Sequence, residues 1–129
     1  MLLETCRLAR KRVGDRLLCC RVSIFNKLDE GFTPGDLREL VAELRATGLD
    51  MLDVSTDGAF NSYFGAEKTL GQWVKEMVPL PIIVAGGLGD PRDAERAVAR
   101  GHADFAAVGR GMLDDPGWAR TAFAKLEER

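Results

Sequence analysis

The sequence predicts an α/β fold: one helix followed by four strand–helix units, half of an eight-unit (β/α)8 barrel. Three observations carry this. Short apolar runs alternate with stretches of helical periodicity, as in a parallel sheet covered by helices. Two strand tips are glycine-rich, at Ala85-Gly86-Gly87 and Val108-Gly109-Arg110. A Thr-Pro or Asp-Pro pair precedes three of the helices, at Thr33-Pro34, Asp90-Pro91 and Asp115-Pro116. With 129 residues the chain is expected to form one domain, residues 1–129, whereas a complete barrel typically takes about 250.

The elements follow in order. Leu2, Cys6, Ala9 and Val13 stand at helical spacing, and Gly14-Asp15 ends that helix. Leu17–Val22 reads as a buried strand, broken by Arg21, and Ser23–Gly31 as a loop. Thr33 caps the next helix, Pro34 takes its first position and Asp36 sits near the positive end of its dipole. Leu37, Leu40, Val41 and Leu44 form its buried face, and Gly48 stops it. Met51–Val54 is the second strand, with Asp53 inside it, and Ser55–Gly65 a longer loop. Leu70, Trp73, Val74 and Met77 mark a helix closed by Pro79 and Pro81. Ile82–Ala85 is the third strand. Asp90-Pro91 opens a helix whose buried face is Ala94, Ala97 and Val98, stopped by Gly101. Phe105–Val108 is the fourth strand; a polar turn leads to Asp115-Pro116 and a last helix through about Leu126.

A small open sheet of the flavodoxin type is the alternative, but no GxGxxG or Walker-type loop follows the first strand. A half barrel leaves its first and last strands unpaired and its concave face bare and apolar, so a second copy or a different subunit is expected to cover it.

Composition narrows the function. The 18 basic and 20 acidic residues nearly balance, which gives no electrostatic case for nucleic acid or an anionic membrane. No apolar run approaches the roughly 20 residues of a membrane helix, and no signal-peptide core follows Met1, so the expected location is cytoplasmic. Three cysteines make no disulfide framework and read as structural thiols. No His, Cys, Asp and Glu cluster has metal-ligand spacing, so no metal is expected. Ligands of α/β proteins bind at the C-terminal ends of the strands; there Gly109-Arg110 offers backbone and a fixed positive charge to an anion such as phosphate, with Gly86-Gly87 beside it.

Arg21-Val22-Ser23, the run Gly48 to Ser55, Pro81 to Gly87, Gly101 to Asp104, Gly109-Arg110 and Asp114-Asp115-Pro116 together resemble the C-terminal half of the old yellow enzyme family, NAD(P)H:flavin oxidoreductases on a TIM barrel. The resemblance covers nearly the whole chain and implies barrel strands five to eight. It also implies FMN as cofactor and NAD(P)H as reductant, with hydride passing from reduced flavin to an activated alkene, a small-molecule substrate. By the same resemblance Arg21 lies at the flavin ring edge, where negative charge gathers on reduction. Gly86, Gly87, Gly109 and Arg110 then hold the phosphate.

By the resemblance, the family's substrate-orienting His-His or His-Asn pair and its usual tyrosine proton donor belong to the other half of the barrel. His102, between a helix stop and a strand start, reads as structural. Tyr63, on the loop after the second strand, is a weak candidate proton donor; packing with Phe60 and Phe64 is the preferred reading. Asp53 reads as hydrogen-bonded structure. Four functional readings follow: a flavoenzyme subunit completed by another chain, a homodimer of half barrels with altered chemistry on a phosphorylated ligand, a scaffold or partner-binding protein that has lost flavin, and a fragment of a longer gene product.

Overall fold

The computed structural model describes residues 1–24 and 30–128. Its elements are helix α1 (Leu2–Val13), strand β1 (Cys19–Ser23), α2 (Pro34–Ala46), β2 (Met51–Ser55), α3 (Leu70–Met77), β3 (Ile82–Ala85), α4 (Pro91–Ala99), β4 (Phe105–Ala107), α5 (Arg110–Asp114) and α6 (Trp118–Glu127). The strands form one parallel sheet in the order β1-β2-β3-β4. A doubly wound sheet reverses its strand order at a switch point; this one runs monotonically, as an arc of a barrel does. The fold is that of half a TIM barrel. Residues 25–29 of the loop expected over Ser23–Gly31 lie outside the described residues, and Ser23 itself belongs to β1.

Local chemistry explains where the helices begin. Asp36 N–H donates to Thr33 Oγ1 at 3.2 Å and Thr33 N–H to Asp36 Oδ2 at 2.8 Å, a reciprocal capping box with Pro34 inside it. Thr69 and Gln72 repeat the box on α3. At α4, Arg92 N–H donates to Asp90 Oδ1 at 2.8 Å. Asp115-Pro116 behaves differently. Asp115 ends α5, and its Oδ1 accepts from Gly117 N–H at 2.8 Å, a turn that precedes α6 rather than capping it. The polar turn expected after β4 therefore contains a short helix, and the last helix starts later than expected.

One face of the sheet carries the core. Val22, Leu52, Val54, Ile82 and Val84 point toward the helices and meet Leu37, Val41, Leu44, Leu70, Val74 and Ala97, all buried. Each fully buried Leu, Ile or Val contributes about 1.5–3 kcal/mol. The alternate residues line the concave face, where Cys19, Arg21, Ser23 and Phe105 are exposed. Among the described residues that face has no covering layer, and it is not apolar: Arg21, Ser23, Asp53 and Ser55 stand among Met51, Ile83 and Phe105. Two further expectations are corrected. Leu17 precedes β1 and is exposed, and Val98 lies on the outer side of α4. No helix among the described residues is long and apolar enough to cross a membrane.

Arg10 fastens α1 to the sheet. It donates from Nε to Gly48 O (2.8 Å) and from Nη1 to Gly14 O (2.7 Å) and Arg16 O (2.9 Å), and it pairs with Asp50, which also accepts Leu18 N–H at 2.7 Å. Asp104 does similar work below β3, accepting Ile82 N–H at 2.8 Å and Lys75 Nζ at 2.5 Å.

Gly71 tests the packing of α3. Replacing a helix-interior glycine by alanine ordinarily stabilises by about 0.8–1 kcal/mol. Here the added Cβ would lie 2.0 Å from His102 O and 2.8 Å from Val84 Cγ2. Gly71→Ala is therefore expected to destabilise by about 1–3 kcal/mol or more, read as a lower urea midpoint.

Candidate functional site

The parallel register sets Ser23, Ser55, Ala85 and Ala107 at one end of the sheet. Beyond them opens a cleft of about 690 Å³, within the size range of small-molecule sites. Arg21, Gly86, Gly87, Gly109 and Arg110 all line it. The five residues that the sequence singled out for cofactor binding thus converge on one cavity, although up to 89 positions of chain separate them.

The two adjacent glycines have different surroundings. Gly86 has φ 145°, and a Cβ there would lie 2.3 Å from Thr56 Oγ1, which itself donates to Ala85 O at 2.9 Å. Gly86 lets the loop after β2 close against the end of β3; its carbonyl accepts Ala59 N–H at 2.9 Å. Gly87 has φ 68°, and nothing lies within 4 Å of its would-be Cβ. Gly109 is likewise open. Gly87 and Gly109 therefore present backbone to free space in the cleft.

α5 was not foreseen in the sequence and begins at the cleft, with Gly109 as its N-cap. First-turn amides of a helix have no intrahelical acceptor. Phosphate sites on barrels are commonly built from the loops after the last two strands and the start of a short extra helix. Five residues are too few to give a periodic signal, so only that architectural rule pointed to α5. Arg110 is exposed and has no ion-pair partner among the described residues. Of the three carboxylates on the cleft, Asp90 caps α4, Asp93 pairs with Arg96 at 2.9 Å, and Asp114 stands at the end of α5. The residues fit a phosphate-bearing ligand: open glycine backbone on two sides, and a guanidinium not otherwise engaged.

Arg21 stands on the sheet side of the cleft. Its Nε and Nη2 both lie 2.9 Å from Asp53 Oδ2. The second oxygen, Oδ1, is buried without a hydrogen-bond partner among the described residues. An unsatisfied buried acceptor costs about 1–3 kcal/mol, more for a charged group. Cys19, below Arg21 on the same face, is exposed; burial of its sulfur, and then the Asp53 carboxylate, push its thiol up. Cys20, on the opposite face, is pushed up to about 11 by burial first and then by the neighbouring Cys6.

Tyr63 stands apart. It is buried in a second cavity with Phe32, Asp57 and Phe64, and its hydroxyl donates to Asp57 Oδ1. Burial and this bond raise its pKa well above the usual phenol range. Phe64 packs edge-on against Trp73 with centroids 5.6 Å apart, whereas Phe60 meets His102 at 5.3 Å. His102 lies in the α4–β4 connection, its Nδ1 3.0 Å from Thr69 Oγ1, outside the cleft.

A sequence model of the NADH:flavin oxidoreductase / NADH oxidase family matches residues 1–129. The chain belongs to this family. An NADH oxidase of Thermoanaerobacter brockii is 31% identical over 131 residues, taking in 93% of this chain and 20% of the relative. An NADPH dehydrogenase of Bacillus subtilis (strain 168) is 28% identical over 120 residues, taking in 90% of this chain and 36% of the relative. A variant of NCR from Zymomonas mobilis has a similar fold, with a TM-score of 0.64 at 20% identity over 83% of this chain and 34% of that one. The chain spans between a fifth and about a third of the length of these relatives. The matching family is one of flavin oxidoreductases, and the two relatives are an NADH oxidase and an NADPH dehydrogenase.

The two glycines separate experimentally. Gly87→Ala is expected to cost about 1–2 kcal/mol, the strain of a left-handed backbone carrying a Cβ. Gly86→Ala is expected to cost more, since Thr56 must also move. Urea unfolding of the two variants measures the difference.

Proposed function

We propose that this chain is the FMN-holding half of a flavin oxidoreductase barrel, and that a second chain, another copy or a different subunit, completes it. The observation that carries the reading is the convergence of Arg21, Gly86, Gly87, Gly109 and Arg110 on one cleft. When bound, FMN supplies hydride transfer from NAD(P)H to an activated alkene. Gly87 and Gly109 offer backbone to its phosphate, Arg110 gives charge-assisted hydrogen bonds, and Gly86 lets the loop after β2 close on the end of β3, where Thr56 forms part of the cleft wall. Arg21, on the sheet side of the cleft, would offer its guanidinium to the negative charge of a reduced ring.

The need for a second chain is supported by the edges. Among the described residues β1 pairs only with β2 and β4 only with β3, leaving two rows of backbone groups open. Phe105 on β4, Leu113 on α5 and Phe123 on α6 are 52%, 82% and 70% exposed, apolar surface that a covering chain would bury.

The visible spectrum tests the cofactor. Purified chain mixed with FMN and passed through a desalting column is expected to retain the yellow flavin bands. A colourless protein would sink the reading. Arg110→Ala is expected to weaken FMN binding by about tenfold or more, the loss of a charged hydrogen bond, in a flavin-fluorescence titration. Sedimentation at micromolar concentration tests the partner: a species heavier than one chain is expected when the second half is another copy, and a lone monomer that gains mass only with another protein identifies a different subunit.

A further inference from the structure

We propose that Asp53 is a positioning residue for Arg21, aiming its guanidinium into the cleft; this rests on the flavin reading of that cleft. The register pairs the two residues on neighbouring strands, both on the concave face. Nε and Nη2 converge at 2.9 Å on the single oxygen Oδ2. That grip fixes the guanidinium from one side and leaves Nη1 without a partner among the described residues. Arg21 lines the cleft and Asp53 does not, so the carboxylate reaches a ligand only through the arginine.

The pair makes poor sense as a stabilising device. The Arg21 side chain is 56% exposed and would be hydrated without a partner. Asp53 is 9% exposed, with one oxygen closed off and unbonded. A partner adds little to an exposed cation, while a buried carboxylate with an empty oxygen is a net cost. An apolar residue of similar size at position 53 would serve the fold as well or better. Its other neighbour across the sheet is Ile83, and the thiol of Cys19 precedes Arg21 on the same face; neither replaces the lost acceptor. What Asp53 supplies that an apolar residue would not is direction.

The test compares Asp53→Leu, Asp53→Asn, Arg21→Lys and the Asp53→Asn/Arg21→Lys double variant in the whole chain, titrated with FMN. Asp53→Leu is expected to keep or raise the urea midpoint. Both Asp53 variants should bind FMN about tenfold more weakly and shift the visible bands of the bound flavin. The double variant is expected to bind no more weakly than Arg21→Lys alone, because the carboxylate acts through the guanidinium. In the FMN-free chain, the Arg21 Nε–H is expected as a slowly exchanging ¹⁵N resonance that is lost in Asp53→Asn. Unchanged FMN affinity and flavin spectrum in Asp53→Asn would overturn the inference, as would losses that add fully in the double variant. Should the wild-type chain take up no FMN, the flavin reading fails on its own. The Nε resonance then decides separately whether Asp53 holds Arg21, and its absence from the wild type rejects that too.

Discussion

Parallel pairing in strict chain order constrains everything else in this molecule. Each strand enters the sheet from the same end, so each strand–loop junction falls at the same end too. Ala85-Gly86-Gly87 and Ala107-Val108-Gly109 are brought side by side by the pairing of Val84 with Ala106 and of Ala85 with Ala107. The pairing of Arg21 with Asp53 puts the arginine under the same opening. Neither glycine pair nor arginine forms a site alone. A slip of one residue in any strand would turn its cleft-facing side chains toward the helices and expose its core residues, so burial of Val22, Val54 and Val84 also fixes the site.

The same constraint creates the molecule's unfinished surface. Monotonic strand order puts the crossover helices α2, α3 and α4 on one face, and the other face meets no covering layer within the described residues. Parallel sheets are normally covered on both sides. Here the uncovered side mixes charge and hydroxyl groups with Met51, Ile83 and Phe105. The Arg21–Asp53 pair lies in that mixture half in water: one member is exposed, the other shut in. In a closed barrel the interior is a packed core, and the arginine would lose much of its hydration. The ion pair would then matter more than it does in the open half, since attraction between opposite charges grows as water leaves.

The sequence made some elements legible and not others, for identifiable reasons. Thr33-Pro34 and Asp90-Pro91 announced helix starts because each cap residue has a free amide to accept from at the right spacing. Asp115-Pro116 looked the same on paper. Its carboxylate instead takes the Gly117 amide in a local turn, because Asp115 is already spent as the end of α5. An Asp-Pro pair reports a turn; whether a helix begins at the proline depends on what comes before. The concave face was expected to be apolar because strands were read as runs, and runs average over the two faces. Taken at every second position, Arg21, Ser23, Asp53 and Ser55 fall together. The five cleft residues were legible because strand tips are a position, not a periodicity, and topology alone collects them.

Gly86 and Gly87 illustrate the limit of such reading. Both were assigned to the phosphate on the ground that glycine lets a ligand approach backbone. Around Gly86 the space is filled by Thr56, and around Gly87 it is empty. The first glycine lets protein approach protein, and only the second faces a ligand without obstruction. The two roles depend on each other: with a side chain at 86 the loop after β2 could not close on the end of β3, and the wall against which Gly87 opens would shift. The charges divide in the same way. Arg21 is tied to the sheet by a buried carboxylate, while Arg110, exposed beside Gly109, is tied to nothing described. A ligand in this cleft would meet one cation already aimed and another that must be ordered on binding, so its ordering entropy is spent at the Arg110 end.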